Sequence, residues 1–193
     1  MSAEYRVKSR NKTTPFERVK DGKSAIRWLR QNAKKLGVNP KKIVAGGGSA
    51  GGHVASAAAT VPGLNEKGEA TTVSCVPNAL VLFNPVYNNG PSEYGHKRVK
   101  RRYREISPAH NIRKGVPPAI VFFGTKDQLV SVKTAKAFQA DMKKVGSRSE
   151  LMLFPGEKHG FFNKGRRGDV AYRKTVKAMD AFLKSLDLVA DKQ

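Results

Sequence analysis

Five consecutive residues restrict the fold of this chain more than any other feature. They fit the pattern G-x-S-x-G and are Gly47, Gly48, Ser49, Ala50 and Gly51. A short apolar run, Ile43 to Ala45, precedes them, and an alanine-rich stretch, Ala50 to Thr60, follows. The pattern therefore predicts a strand, a tight turn with the serine at its tip, and a buried helix, which is the setting of a nucleophilic serine.

The glycines of this motif have a steric reason. A serine in such a turn takes a positive φ, and the residues two before and two after it approach so closely that side chains would collide. We therefore expect Gly47 and Gly51 to be required, and the N–H of Ala50 to point at the reaction centre as an oxyanion donor. Glycine-rich turns also bind phosphate. That alternative ranks lower, because the P-loop lysine and the dinucleotide-binding spacing are missing.

The rest of the chain alternates strands and helices. A helix of about five turns is predicted from the cap at Thr14 to Leu36, and Gly37 ends it. Continuous apolar runs predict three further strands, at 79–83, 119–123 and 151–154, and helices are predicted at 132–145 and 170–186. This order predicts an α/β fold with a mostly parallel sheet flanked by helices. We expect one domain over residues 1–193, with an irregular insertion from Pro85 to Pro118.

Two further residues follow strands in the way that a serine nucleophile requires. Asp127 comes directly after the run 119–123, and His159 lies in the loop after the run 151–154. Because the carboxyl ends of parallel strands meet at one edge of the sheet, we expect both near Ser49. The rival acids Asp141, Glu157 and Asp169 rank lower. The remaining histidines, His53, His96 and His110, follow no such strand, and His53 is expected to be a packing residue.

Four segments carry a resemblance to a known family: GGGSAGGHVA, NALVLFNPVYNNG, PPAIVFFGTKDQLV and LFPGEKHGFFN. They resemble the esterase and lipase branch of the α/β-hydrolases, near acetyl-xylan-esterase-like and hormone-sensitive-lipase-like carboxylesterases. The resemblance implies Ser49 as nucleophile, His159 as general base and then acid, and Asp127 as the residue that orients it. It also implies an acyl-enzyme reaction on small esters, such as acetyl groups on polysaccharide, with no metal or cofactor. A prolyl-oligopeptidase-like peptidase shares this residue order and stays open as an alternative.

The chain departs from that family at its start. No His-Gly-Gly sequence precedes Ser49, so the loop that completes the oxyanion hole is missing from this sequence. The segment Glu4 to Val7 resembles the strand before the helix at Thr14, which implies that the family's first three strands are absent. We therefore expect an incomplete sheet, impaired or conditional activity, and an exposed edge that favours self-association.

The net charge raises the possibility that the chain binds an anionic partner. The chain carries 37 Lys and Arg against 15 Asp and Glu, a formal charge of +22. The densest stretch runs from 97 to 104 and contains Lys97, Arg98, Lys100, Arg101, Arg102 and Arg104. Such a stretch is either a solvated cover of the sheet or a site for nucleic acid or acidic glycan. The alternative function is therefore a decayed hydrolase that binds polyanions.

Other features narrow the class of protein. The single cysteine, Cys75, permits no internal disulfide and offers no cysteine cluster for a structural metal. No apolar run is long enough to span a membrane, and the polar, basic first residues do not form a secretory signal. Absence of a signal favours the cytoplasm. Secretion stays open, because the resemblance places the family's own start upstream of Met1.

Overall fold

The apolar runs form one parallel sheet in a computed structural model that describes residues 1–190. The strand order follows the chain order. In the register, Ala45 lies beside Leu80, and Ile120 lies beside Glu150. The strands are β1 (Val44–Gly48), β2 (Ala79–Phe83), β3 (Ala119–Gly124) and β4 (Ser149–Phe154). The predicted α/β class is confirmed.

Helices connect and cover the strands. The α-helices are α1 (Lys8–Asn11), α2 (Pro15–Gln31), α3 (Ala33–Leu36), α4 (Ala50–Thr60), α5 (His96–Val99), α6 (Val132–Lys144) and α7 (Val170–Lys184). Short 3-10 segments occupy Lys100–Glu105, Pro108–His110 and Arg167–Asp169. None of the helices within residues 1–190 combines the length and the apolar character needed to cross a membrane.

The first long helix begins as predicted but ends early. The Thr14 side chain and Glu17 form a capping box at the start of α2. The expected single helix is interrupted at Asn32, whose Nδ2 donates to the Trp28 carbonyl at 2.8 Å. The Asn32 backbone leaves the helical region, with φ −101° and ψ 10°, so the last turn is the separate helix α3. Gly37 closes that turn with φ 65°.

The core lies on both faces of the sheet. Alternate residues of β3 point to opposite sides, and all are almost completely buried. Val121 and Phe123 pack with α6 through Phe138, whereas Phe122 packs on the other face with the buried Phe182 of α7. Burial on both faces explains why the strands are continuous apolar runs rather than alternating ones.

The edge of the sheet at β1 differs from the expectation. Among residues 1–190, β1 pairs with β2 alone, so its other side carries no strand. The segment Glu4–Val7 was expected to be a strand, and this is wrong: Val7 is extended but unpaired, because no strand of the described chain lies beside it. Arg6 anchors the segment through Asp21, with Nε–Oδ1 at 2.8 Å. Self-association through the free edge stays a prediction.

Three cations on one face of α2 hold the long loop between α4 and β2. The loop, residues 61–78, contains neither helix nor strand. Lys23, Arg27 and Arg30 lie at helical spacing and donate into it. Their acceptors in the loop are the carbonyls of Val61, Gly63, Val73, Ser74 and Val76, the Asn65 amide, the Glu69 carboxylate and the Asn78 amide. Side chains here satisfy carbonyls that regular structure would otherwise pair.

Candidate active site

Ser49 occupies a strained turn between β1 and α4. Its backbone has φ 52° and ψ −115°, in the region that favours glycine, as the motif predicts. The Ser49 N–H donates to the Phe83 carbonyl at 2.9 Å, and the Ser49 carbonyl accepts from His53 at 3.0 Å. These bonds fix the turn to the end of β2 and to the helix, and so hold the serine at the carboxyl end of the sheet.

The glycines around Ser49 are needed for unequal reasons. A Cβ on Gly47 would lie 2.6 Å from the backbone carbon of Gly51, and one on Gly48 would lie 2.6 Å from the Phe162 ring. A Cβ on Gly51 would meet no atom within 4 Å. The expected collision therefore holds for Gly47 but is wrong for Gly51, because Gly51 faces a groove beside the free edge of β1.

This asymmetry predicts opposite effects of two alanine substitutions. Gly47→Ala is expected to lower the free energy of unfolding by about 2–3 kcal/mol, because backbone atoms must move to admit the methyl group. Gly51→Ala is the matched control and should leave the free energy unchanged or raise it by up to about 1 kcal/mol, since alanine favours the helix. Urea unfolding of both variants measures the difference. Equal losses would contradict the close approach at Gly47.

Asp127 and His159 form a hydrogen-bonded acid–base pair. The His159 Nδ1 lies 2.7 Å from Asp127 Oδ2, and the Asp127 side chain is fully buried. Its other oxygen accepts the N–H groups of Leu129 at 2.8 Å and Val130 at 3.2 Å. Asn84 donates its Nδ2 to Oδ2 as well. The carboxylate thus has a polar contact on each of its oxygens, which fixes its orientation.

The loop that carries His159 packs against the serine turn. The Phe162 ring lies 4.7 Å from the Phe83 ring, and Phe83 also holds the Ser49 N–H. The Phe162 ring also occupies the space that a Gly48 side chain would need. Within residues 1–190 no hydrogen bond joins His159 to the Ser49 hydroxyl. Such contacts are often long without substrate and shorten when it binds.

Sequence reasoning missed Asn84. This residue follows β2 directly, takes a positive φ of 40° and is fully buried. Its N–H donates to the Phe122 carbonyl at 2.9 Å, and its Oδ1 has no hydrogen-bond partner among the described residues. The available signal was positional: Asn84, Asp127 and His159 all follow strands of the same sheet.

The rival residues are engaged elsewhere. His53 is buried, and its Nε2 donates to Asn89 Oδ1 at 3.1 Å and to the Ile106 carbonyl at 3.0 Å. Burial lowers the pKa of His53 to about 4, so the ring is neutral and packs as expected. The acids pair with other groups: Asp141 with Lys144, Glu157 with Arg167, and Asp169 with the Gly165 N–H.

The basic stretch forms α5 and the 3-10 segment that follows it. Arg102 pairs with Glu105 at 2.7 Å and lies 4.1 Å above the Phe16 ring. All six basic residues of the stretch, including Lys97, Lys100 and Arg101, are exposed. The remaining two members lie over tyrosine rings, Arg98 over Tyr94 at 5.6 Å and Arg104 over Tyr103 at 5.5 Å. Half of the stretch thus packs on aromatic rings, as in a cover for the domain.

Metal chemistry has no ready ligand set in the part of the chain that the structure describes. No group of three or more His, Cys, Asp or Glu side chains is arranged there to hold an ion.

Solved structures that share the fold of this chain include those of an esterase. Thermogutta terrifontis esterase 2, in a structure phosphorylated by paraoxon, is 46% identical with a TM-score of 0.92 over 98% of this chain and 71% of that one. Its apo form is 45% identical, with a TM-score of 0.93 over 98% of this chain and 72% of that one.

Curated relatives are more distant and longer. Esterase LipC of Mycobacterium tuberculosis is 26% identical over 83% of this chain, which matches 44% of LipC. An acetylxylan esterase of Xylanibacter ruminicola is 28% identical over 81% of this chain and 33% of that protein. This chain therefore spans less than half the length of these two relatives.

A family model describes the chain almost from end to end. The model of the prolyl oligopeptidase family matches residues 5–186. That range contains the serine turn, the acid–base pair and all four strands. The expected resemblance to the α/β-hydrolase esterases is confirmed by the solved structures. The chain belongs to the prolyl oligopeptidase family and has the α/β-hydrolase fold of its esterase relatives.

Proposed function

We propose that this chain hydrolyses small carboxylic esters with Ser49 as nucleophile, His159 as general base and Asp127 as the orienting acid. The observation that carries the proposal is the 2.7 Å bond between His159 Nδ1 and the buried Asp127, beside a serine in a positive-φ turn. The esterase relatives support the same reaction class.

In the proposed reaction, the Ser49 oxygen attacks the ester carbonyl and its proton passes to His159 Nε2. Asp127 accepts a hydrogen bond from the Nδ1–H of His159, so that Nε2 is the unprotonated nitrogen that accepts the serine proton. The same carboxylate stabilises the imidazolium that results. The Ala50 N–H stabilises the oxyanion at the start of α4. His159 then protonates the leaving alcohol, and a water molecule, activated by the same imidazole, releases the acid and restores Ser49.

The number of oxyanion donors sets the expected rate. No His-Gly-Gly loop precedes Ser49 in this sequence, so we propose that the chain alone is slower than an esterase with a complete oxyanion hole. Each missing donor typically costs a factor of about 10²–10³ in kcat.

The acetylxylan esterase among the relatives makes acetyl esters of polysaccharide the first natural substrates to test. The family's name supports the competing proposal of a peptidase.

Comparing ester with amide turnover separates the two proposals. We expect hydrolysis of p-nitrophenyl acetate and no cleavage of a prolyl p-nitroanilide. Paraoxon should stop ester turnover and leave its phosphoryl group on the peptide that contains Ser49, as mass spectrometry would show. Anilide turnover at a rate similar to that of the ester would favour the peptidase. Label on another peptide would exclude Ser49 as the nucleophile.

A second candidate function is polyanion binding, which the charge of +22 favours. Exposed Lys97, Lys100 and Arg101 lie together in the basic stretch. If they bind phosphates, the logarithm of the affinity for a single-stranded oligonucleotide should fall linearly with the logarithm of the salt concentration. Replacing all three by glutamine should reduce that slope by up to about two units, since each phosphate contact contributes about 0.7. Fluorescence anisotropy at several salt concentrations measures this slope. An unchanged slope would exclude the basic stretch as the binding site.

A further inference from the structure

A small cavity lies beside the serine turn, and its walls come from three parts of the chain. Arg18 belongs to the first turns of α2, Ala50 and His53 belong to α4, and Tyr94 and Arg98 belong to the insertion between β2 and β3. Ala50 is the residue whose N–H we propose as an oxyanion donor. A group bound in this cavity would therefore be next to the reacting ester.

Two guanidinium groups in the cavity wall have no acidic partner. Arg18 and Arg98 take part in none of the ion pairs found within residues 1–190, and no Asp or Glu lines the cavity. The Arg18 Nε is buried and donates to no group of the described chain. A buried donor without an acceptor is costly and rare, which indicates that a ligand or water accepts from it.

The other polar groups of the cavity do not neutralise this charge. His53 is uncharged, because burial lowers its pKa to about 4, and its Nε2 is committed to Asn89 and Ile106. Arg98 is exposed, and its guanidinium lies 5.6 Å above the Tyr94 ring, a cation–π contact that supplies no anionic partner. The cavity wall therefore carries positive charge with no acidic residue beside it.

The volume of the cavity limits the size of the anion that it can hold. Its volume is about 30 Å³, and one water molecule needs on the order of 10–15 Å³ by the same measure. A group of two or three heavy atoms fits, whereas a sugar ring or a nucleotide does not. The forked donors of arginine match the two oxygens of a carboxylate.

We propose that this cavity binds a carboxylate of the substrate, so that the protein prefers esters that carry a carboxylate close to the cleaved bond. The inference rests on the proposed ester hydrolysis at Ser49. Arg18 and Arg98 are then specificity-determining residues. The overall positive charge of the chain acts in the same direction, because it raises the local concentration of anionic esters.

Two matched substrate pairs test the preference and locate the carboxylate. Monomethyl succinate against methyl butyrate places the charge on the acyl side, and 4-acetoxybenzoate against 4-acetoxybenzamide places it on the alcohol side. We expect the charged ester of one pair to have a kcat/KM about ten- to a hundredfold higher than its neutral partner, as for a charge-assisted hydrogen bond. A ratio near one in both pairs would overturn the proposal.

Single variants assign the preference to the cavity. Arg18→Gln and Arg98→Gln should each reduce the charged-to-neutral ratio about tenfold or more. Arg173→Gln is the control, because it removes the same charge from an exposed position on α7 that does not line the cavity. Equal reductions in all three variants would mean general electrostatic attraction, and the cavity would not be the site.

Failure of the proposed hydrolysis is distinguishable from failure of this inference. If no ester is turned over in a Ser49-dependent way, the cavity is judged by benzoate binding alone, measured by calorimetry at constant ionic strength. Saturable binding that Arg18→Gln weakens about tenfold or more, and Arg173→Gln does not, would support the carboxylate site. No binding, or equal weakening by both variants, would overturn it.

Discussion

Replacing Ser49 by alanine is expected to reduce kcat on p-nitrophenyl acetate by a factor of about 10⁴–10⁶. The reason is that no other hydroxyl takes the position that the turn gives to Ser49 at the carboxyl end of the sheet, with φ 52°. KM should change little, because the hydroxyl acts in the transition state rather than in binding. Steady-state absorbance at several substrate concentrations separates the two constants.

Ser24→Ala is the matched control for this experiment. The Ser24 hydroxyl donates back to the Lys20 carbonyl at 2.9 Å within α2, away from the proposed reacting groups. This variant should retain the wild-type kcat. Equal rates for wild type and Ser49→Ala would show that the observed hydrolysis is background, and the proposed reaction would fail.

Asp127→Asn is expected to have the next largest effect, a loss of about 10⁴ in kcat. The buried carboxylate accepts from His159, Asn84 and two backbone N–H groups. With asparagine at this position, the amide NH₂ faces groups that themselves donate hydrogen bonds and so gains no acceptor. His159 Nδ1 in turn loses its anionic acceptor. The imidazole is then free to adopt the other tautomer, in which Nε2 carries the proton and accepts none.

Asp141→Asn controls for the loss of a negative charge. Asp141 pairs with Lys144 at 2.8 Å on the partly exposed surface of α6, so its variant should retain full activity. Thermal unfolding of both variants shows whether the site remains folded. A folded Asp127→Asn variant with undiminished kcat would assign the orienting role to another acid and contradict the proposed pair.

Much of the fold was predictable because its signals are local. Strands buried on both faces appear as continuous apolar runs, so β2 and β3 were found within one residue of their ends. The capping box at Thr14 and the glycine at position 37 mark helix ends through bonds within a few residues. The positions of Asp127 and His159 after strands were equally readable, because parallel strands end at one edge.

The features that were missed depend on contacts between distant segments. Asn84 reaches Asp127 only because Phe83 of β2 lies beside Phe122 of β3, a register that no local pattern encodes. The open space beside Gly51 likewise reflects what adjoins β1 in the folded chain. The segment Glu4–Val7 is unpaired for a similar reason, because a strand forms only beside another strand. The local sequence does not show whether such a neighbouring strand is present.

The basic residues of this protein fall into two groups: the cations of α2 that hold loop 61–78, and the exposed residues of the surface. Lys23, Arg27 and Arg30 serve as substitutes for absent backbone pairing, and most of their acceptors are neutral carbonyls. Basic residues such as Lys97 and Arg101 lie exposed on the surface, where they contribute to the field around the molecule. Substitutions that lower the net charge for crystallisation can therefore be made at the surface residues without loosening loop 61–78. Replacing one of the three cations of α2 would instead release part of that loop, which leads into β2.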